Sequence, residues 1–90
     1  YGAAFSFRFG DWNDKAVKER ALFFRNKLSK KPEDLLVVGG SDEILGRIKE
    51  FINSGTSKFI LNPMGNTDSE IYAQTRKLID TVLPQIKSLN

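Results

Sequence analysis

The chain has few residues suited to chemistry, and they fall at the ends of its apolar runs. Asn62-Pro63-Met64-Gly65 follows directly on Phe59-Ile60-Leu61. In parallel α/β proteins, binding and catalytic groups gather at the carboxyl ends of the strands. Asn62, Met64 and Gly65 are therefore candidates for a pocket wall. Arg8 stands near the end of the first alternating run. Its planar fork of donors makes it a candidate contact for an anionic ligand, with a plain surface arginine as the competing reading. Gly39-Gly40-Ser41 precedes an amphipathic segment, and free N–H groups at a helix start can hold a phosphate. The glycine spacing matches neither the nucleotide P-loop nor the dinucleotide fingerprint, so an ordinary turn competes there. The acidic pairs Glu33-Asp34 and Asp42-Glu43 sit where carboxylates favour the positive end of a helix dipole, and are not read as acid/base pairs. No residue is identified as catalytic by type and spacing.

Absences narrow the chemistry further. The chain has no histidine, which excludes histidine general bases, serine triads of the usual kind and histidine metal sites. It has no cysteine, which excludes disulfides and thiolate metal sites and fits a cytoplasmic protein. No metal is expected. Lys plus Arg number 14 against 11 acidic residues, for a net charge of +3. The densest basic group, Lys27, Lys30 and Lys31, has no interleaved aromatics for base stacking. It reads as a solvated helix end, and no nucleic-acid partner is expected. No apolar run approaches a membrane span and no signal-peptide pattern is present, so no membrane partner is expected either. Ninety residues allow one domain at most, or part of one, with a core of marginal size. The chain opens with Tyr1, not Met, so it is expected to be processed or to be a piece of something longer.

The elements that would position these residues follow from periodicity. Phe59-Ile60-Leu61 is an uninterrupted apolar run bounded by turn residues, the pattern of a strand covered on both faces in a parallel sheet. The strand is placed at 57–61, with Phe59, Ile60 and Leu61 as the most buried consecutive residues. Truncating Ile60 to Ala is then expected to cost about 2–5 kcal/mol. Residues 2–9 read as another strand, with Ala3, Phe5, Phe7 and Phe9 on one face and Ala4, Ser6 and Arg8 on the other. The two strands are expected to pair in parallel, since a long crossover separates them.

Asn13 or Asp14 can cap a helix over 14–29 whose apolar stripe is Val17, Ala21, Phe24 and Leu28, widened by Leu22 and Phe23. Residues 32–38 are either a short helix or a strand, because four apolar residues show no decisive period. Ser41 is a good N-cap for a helix over 41–54 with Ile44, Leu45, Ile48, Phe51 and Ile52 on one face. Gly46 lies inside that helix, a cost of about 1 kcal/mol that close packing would justify. Gly55 is expected just past its end. A final helix over 68–89 buries Ile71, Thr75, Leu78, Ile79, Val82, Leu83 and Ile86, and Pro84 ends or kinks it. The fold class is α/β.

The run Lys58-Phe59-Ile60-Leu61-Asn62-Pro63-Met64-Gly65, then Gln74-Thr75-Arg76-Lys77-Leu78-Ile79 and Val82-Leu83-Pro84, resembles the carboxyl terminus of luciferase-like monooxygenases, which are flavin- or deazaflavin-dependent oxidoreductases. Gly39/Gly40-Ser41-Asp42-Glu43-Ile44 and Gly55 are similar to the same pattern, and Tyr1-Gly2 with the alternating strand resembles the seventh barrel strand of one subgroup. The resemblance implies that residues 1–90 are the carboxyl-terminal segment of a TIM (β/α)₈ barrel: strand seven, a helical insertion, helix seven, strand eight and helix eight. It implies a short helix at Pro32–Val38. It implies FMN or a deazaflavin as cofactor in the complete barrel and a small-molecule substrate. Arg8, Asn62, Met64 and Gly65 would lie on the pocket rim, with Asn62 where many members carry a basic residue. Catalytic residues of the family come from earlier strands, and none is carried over. Partners would be the remainder of the barrel or a second copy of the chain. The alternative is a free-standing α/β module that binds or self-associates without catalysis.

Overall fold

The computed structural model describes residues 2–27, 31 and 35–87. Its elements in chain order are β1 (Gly2–Phe9), α1 (Lys15–Lys27), β2 (Leu36–Gly39), α2 (Ser41–Asn53), β3 (Lys58–Pro63), α3 (Asp68–Thr81) and α4 (Leu83–Lys87). The strands form one parallel sheet in the order β2-β1-β3. The parallel pairing expected between the first strand and the Phe59–Leu61 strand is present, with Ala3 beside Phe59, Phe5 beside Leu61 and Phe7 beside Pro63.

In the segment 32–38, where the sequence leaves helix and strand both open, Leu36 begins a strand that runs to Gly39 alongside Ser6–Phe9. Of the short helix that the resemblance implies over Pro32–Val38, Leu35 is helical and Leu36–Val38 belong to the strand, while residues 32–34 lie outside the described part. Leu36 and Val37 point into different apolar clusters, which a strand achieves with adjacent residues. The expected single helix over 68–89 is two helices broken at Val82, with Pro84 in the first turn of α4. A proline is tolerated in that turn because its missing N–H would have had no helical partner. Residues 28 and 29 of the first expected helix, and 88 and 89 of the last, lie outside the described part.

Helices cover both faces of β1. On the face of Phe5 and Phe7, Val37 joins Ile44, Leu45 and Ile48 of α2, Leu78 of α3 and Val82 just past its end. On the opposite face, Val17 of α1 meets Leu36 and Met64, with Ala21, Phe24 and Val38 packed around them. The Arg20 guanidinium donates to the Ser6 hydroxyl at 3.2 Å across that second face. Burial on both faces of one strand makes Phe5-Ser6-Phe7 the most buried consecutive run among the described residues.

The expectation that Phe59-Ile60-Leu61 would hold that rank is overturned. Phe59 and Leu61 are half-buried and Ile60 is 64% exposed. The reason is strand order. β3 is at an edge, so α2 and α3 cover its Phe59/Leu61 face while α1 lies over β1 and β2 and leaves Ile60 open. The large cost assigned to truncating Ile60 falls accordingly in a single chain, to within about 0.5 kcal/mol for an exposed site. The same shortage of cover corrects the helix stripes. Leu78 and Val82 are buried, Thr75, Leu83 and Ile86 are half-buried, and Ile71 and Ile79 are exposed. In α1, Leu22 and Phe23 are exposed and do not widen the buried stripe.

Local signals at the helix starts are partly reassigned. Gly40, not Ser41, is the N-cap of α2, and the Gly40 N–H donates to the Glu43 carboxylate at 3.0 Å. Thr67 caps α3 by accepting from the Glu70 N–H. A Cβ built on Gly46 meets nothing within 4 Å, so close packing does not explain that glycine. Gly46→Ala is therefore expected to stabilise the fold by about 0.5–1 kcal/mol, the helix-propensity difference. A rise in the urea midpoint at unchanged slope is the measurement that checks it.

Candidate functional site

In an open parallel sheet, a crevice opens where two adjacent strands send their following helices to opposite faces, and ligands bind there. β1 and β3 are such a pair: β1 leads to α1 on the Ser6 face, and β3 leads to α3 on the Phe7 face. Their carboxyl ends are also where the sequence places its candidate residues.

Three of the four candidates meet there. The Arg8 Nε donates to Asp14 Oδ2 at 3.2 Å, and its Nη1 donates to the Met64 carbonyl at 2.9 Å and to Glu70 Oε1 at 3.1 Å. The arginine thus ties together the loop before α1, the end of β3 and the first turn of α3. Its side chain is only 15% exposed. The Met64 side chain is buried beneath it in the α1-side cluster. Gly65 gives the chain room to turn into α3: a Cβ there would sit 2.9 Å from the Glu70 Cβ and 3.0 Å from the Ile71 backbone nitrogen. Gly65→Ala is expected to destabilise the protein by about 1–3 kcal/mol, as overpacking does, read from the thermal midpoint. Asn62 is not part of this group. It lies beside Ser6 on β3 and is exposed.

Asp14, Glu70 and Gln74 complete the site and were not picked out by sequence spacing. Asp14 precedes α1, yet its carboxylate accepts from the Asp11 N–H at 3.1 Å and from Arg8. The Asp11 N–H first, and then Arg8, hold the Asp14 carboxyl below the ordinary aspartate range. Gln74 faces the end of β1. Its Oε1 accepts from the Phe9 N–H at 2.7 Å and its Nε2 donates to the Phe9 carbonyl at 3.2 Å. The amide side chain thereby continues the β1–β3 ladder past the point where β3 leaves the sheet. The Lys77 ammonium lies 5.3 Å from the centre of the Phe9 ring, within cation–π range.

One guanidinium faced by two carboxylates is suited to holding strand ends together and not to receiving a phosphate. The four rim residues do not fit a flavin phosphate, because Arg8 is already neutralised and Gly65 leaves no cradle. The Gly39-Gly40-Ser41 start is likewise filled from within, by the Glu43 carboxylate on the Gly40 N–H. Elsewhere a groove of about 360 Å³ runs between the outer edge of β2 and α2, lined by Trp12, Val38, Gly46, Arg47 and Glu50 among others. Among the described residues, no group of three or more His, Cys, Asp or Glu could hold a metal, and no helix is long and apolar enough to cross a membrane. No family model matches the chain, and neither a curated protein nor a solved structure does.

Proposed function

We propose that this chain is the carboxyl-terminal segment of a luciferase-like flavin-dependent monooxygenase or oxidoreductase of the cytoplasm, supplying the last two strands and helices of a TIM barrel. The observation that carries the reading is the β1–β3 pair. Its strands are parallel neighbours joined through α1, β2 and α2, and neighbouring strands of a barrel are parallel as well. Its Phe face is packed under α2 and α3, whereas the other face bears Ala4, Ser6, Arg8, Lys58, Ile60 and Asn62. Of these, Ala4, Lys58, Ile60 and Asn62 are exposed. In this reading the part of the face that α1 leaves open would look inward on FMN or a deazaflavin and a small-molecule substrate, with the flavin phosphate held by other parts of the barrel.

The redox chemistry in that reading is the flavin's. This chain's residues contribute shape. Arg8 holds the end of β3 against the loop before α1, and Asn62 is the rim candidate left free of that clamp. Sequencing the transcript around the Tyr1 codon tests the proposal. An in-frame upstream region long enough for six further βα units supports it, provided that the product binds flavin. A start codon directly before Tyr1 overturns it.

A second reading is favoured by one observation, the place of α1. In a barrel, all helices lie outside, but α1 covers the Ser6 face on which the barrel interior would lie. An open sheet wound on both faces accounts for α1 directly and makes the chain a small α/β module that binds or self-associates.

A further inference from the structure

We infer that the outer edge of β3 is a self-pairing surface, through which two copies of this chain join their sheets about a two-fold axis at Ile60; this rests on the open-sheet reading. The backbone hydrogen bonds show which groups are available. The Met64 N–H donates to the Phe7 carbonyl at 2.9 Å. In a parallel ladder, alternate residues turn their N–H and C=O to the same neighbour. Lys58, Ile60 and Asn62 therefore face β1, while Phe59, Leu61 and Pro63 turn theirs outward. Pro63 has no N–H to offer. The usable edge is thus the short stretch around Phe59 and Leu61.

An antiparallel partner strand can meet that stretch in one register that uses every apolar group. With Ile60 opposite Ile60 of the second copy, Phe59 and Leu61 of one chain exchange N–H···O bonds with Leu61 and Phe59 of the other. The isoleucines then form a non-hydrogen-bonded pair, the closer of the two antiparallel spacings. Lys58 falls opposite Asn62, so no like charges face each other. Sliding the pair by two residues sets Ile60 against Asn62 and uses the donor-less Pro63. The edge is self-complementary in the first register, as a two-fold contact requires.

The flanking surfaces agree with this occupant. Ile60 is 64% exposed on one face of the sheet, and Tyr72 and Ile79 of α3 are 68% and 42% exposed on the other. Glu70, Gln74 and Lys77 mark the side of α3 that looks toward β1. By helical geometry, Tyr72, Thr75 and Ile79 lie on the opposite flank, beyond β3. A two-fold axis normal to the sheet brings that flank of each α3 toward its mate. It covers the apolar residues that the single chain leaves in water.

Charge reversal at the symmetric position tests the register. Sedimentation equilibrium of the 90-residue chain is expected to give twice the monomer mass. Ile60→Lys and Ile60→Glu are each expected to be monomeric, because either places like charges against each other, and an equimolar mixture of the two is expected to recover the doubled mass. The chain has no cysteine of its own, so Ile60→Cys is expected to form a disulfide dimer under mild oxidation at least tenfold faster than Ile52→Cys, a control on α2. A monomeric parent chain, single variants that stay dimeric, or a mixture that stays monomeric would each overturn the pairing, the first leaving the edge to a different partner. Thermal unfolding of the same samples separates this from failure of the open sheet. Val17→Asp lowers the midpoint if α1 covers the Ser6 face and leaves it unchanged if α1 does not.

Discussion

Phe7→Ala is expected to cost about 3–5 kcal/mol, the range for deleting a buried aromatic ring. Phe7 is fully buried on the central strand. It lies in the cluster built by α2, α3 and β2, and its ring meets Phe9 edge-on at 6.0 Å. No cover can slide in to fill the space, because β2 and β3 fix β1 from both sides. Whole domains hold only about 5–15 kcal/mol, so the variant is expected to be largely unfolded at 37 °C. Urea titration followed by far-UV circular dichroism checks this. Ile60→Ala is the paired control. Measured at concentrations where the chain is monomeric, it is expected to move the midpoint little. Equal losses at the two positions would contradict the placement of β1 at the centre and β3 at the edge.

The second large effect is at Arg8. Arg8→Met keeps the stem of the side chain but removes the donors to the Met64 carbonyl, Glu70 and Asp14. Loss of hydrogen bonds to a charged group costs about 1.5–3 kcal/mol. Amide exchange at Met64 and through the first turn of α3 is expected to speed up more than exchange in α2, because the clamp holds only the former.

Acid should weaken the same cluster. The Asp14 carboxyl is held below its ordinary value, first by the Asp11 N–H and then by Arg8. A group with a depressed folded-state pKa stabilises the fold above its unfolded value, near 3.9 for aspartate. That contribution is lost as pH falls from there through the folded value. Asp14→Asn is expected to flatten this acid limb, and Arg8→Met to flatten it in part, since the Asp11 N–H remains. An unchanged acid limb in Asp14→Asn would show that Asp14 does not titrate with folding.

The contrast between β1 and β3 shows what is legible in such a sequence. Phe5, Phe7 and Phe9 alternate with Ser6 and Arg8, and period two survives any strand order, so β1 and its two faces could be read directly. Phe59-Ile60-Leu61 is apolar throughout, and such a run looks the same in the middle of a sheet as at an edge with one side awaiting cover. Its burial cannot be read from the run itself, because strand order is a long-range property. The stripe of α3 fails for the same reason: Ile71 and Ile79 have the right spacing but extend past the sheet they would cover. The clamp was illegible in another way. Arg8 and Asp14 are six residues apart and Arg8 and Glu70 sixty-two, and both carboxylates stand at helix starts, where acidic residues are ordinary. Arg8 could be singled out as a residue placed to bind an anion, but not the fact that its anions come from this chain.

The order β2-β1-β3 also has a consequence for synthesis on the ribosome. Within residues 1–90 the central strand precedes both of its sheet neighbours, so β1 leaves the exit tunnel before either β2 or β3. Arg8 and Met64 are separated by 56 residues. At about 5–20 residues per second this is an interval of roughly 3–11 s. Throughout it, the β3 edge of β1 stays open, and Phe5 and Phe7 lack the cover of Leu78 and Val82. A nascent chain stalled before β3 should therefore be the species most readily held by a general chaperone, and release should coincide with the emergence of Phe59-Ile60-Leu61. The vulnerable window in the life of this protein is set by the position of one strand in its sheet.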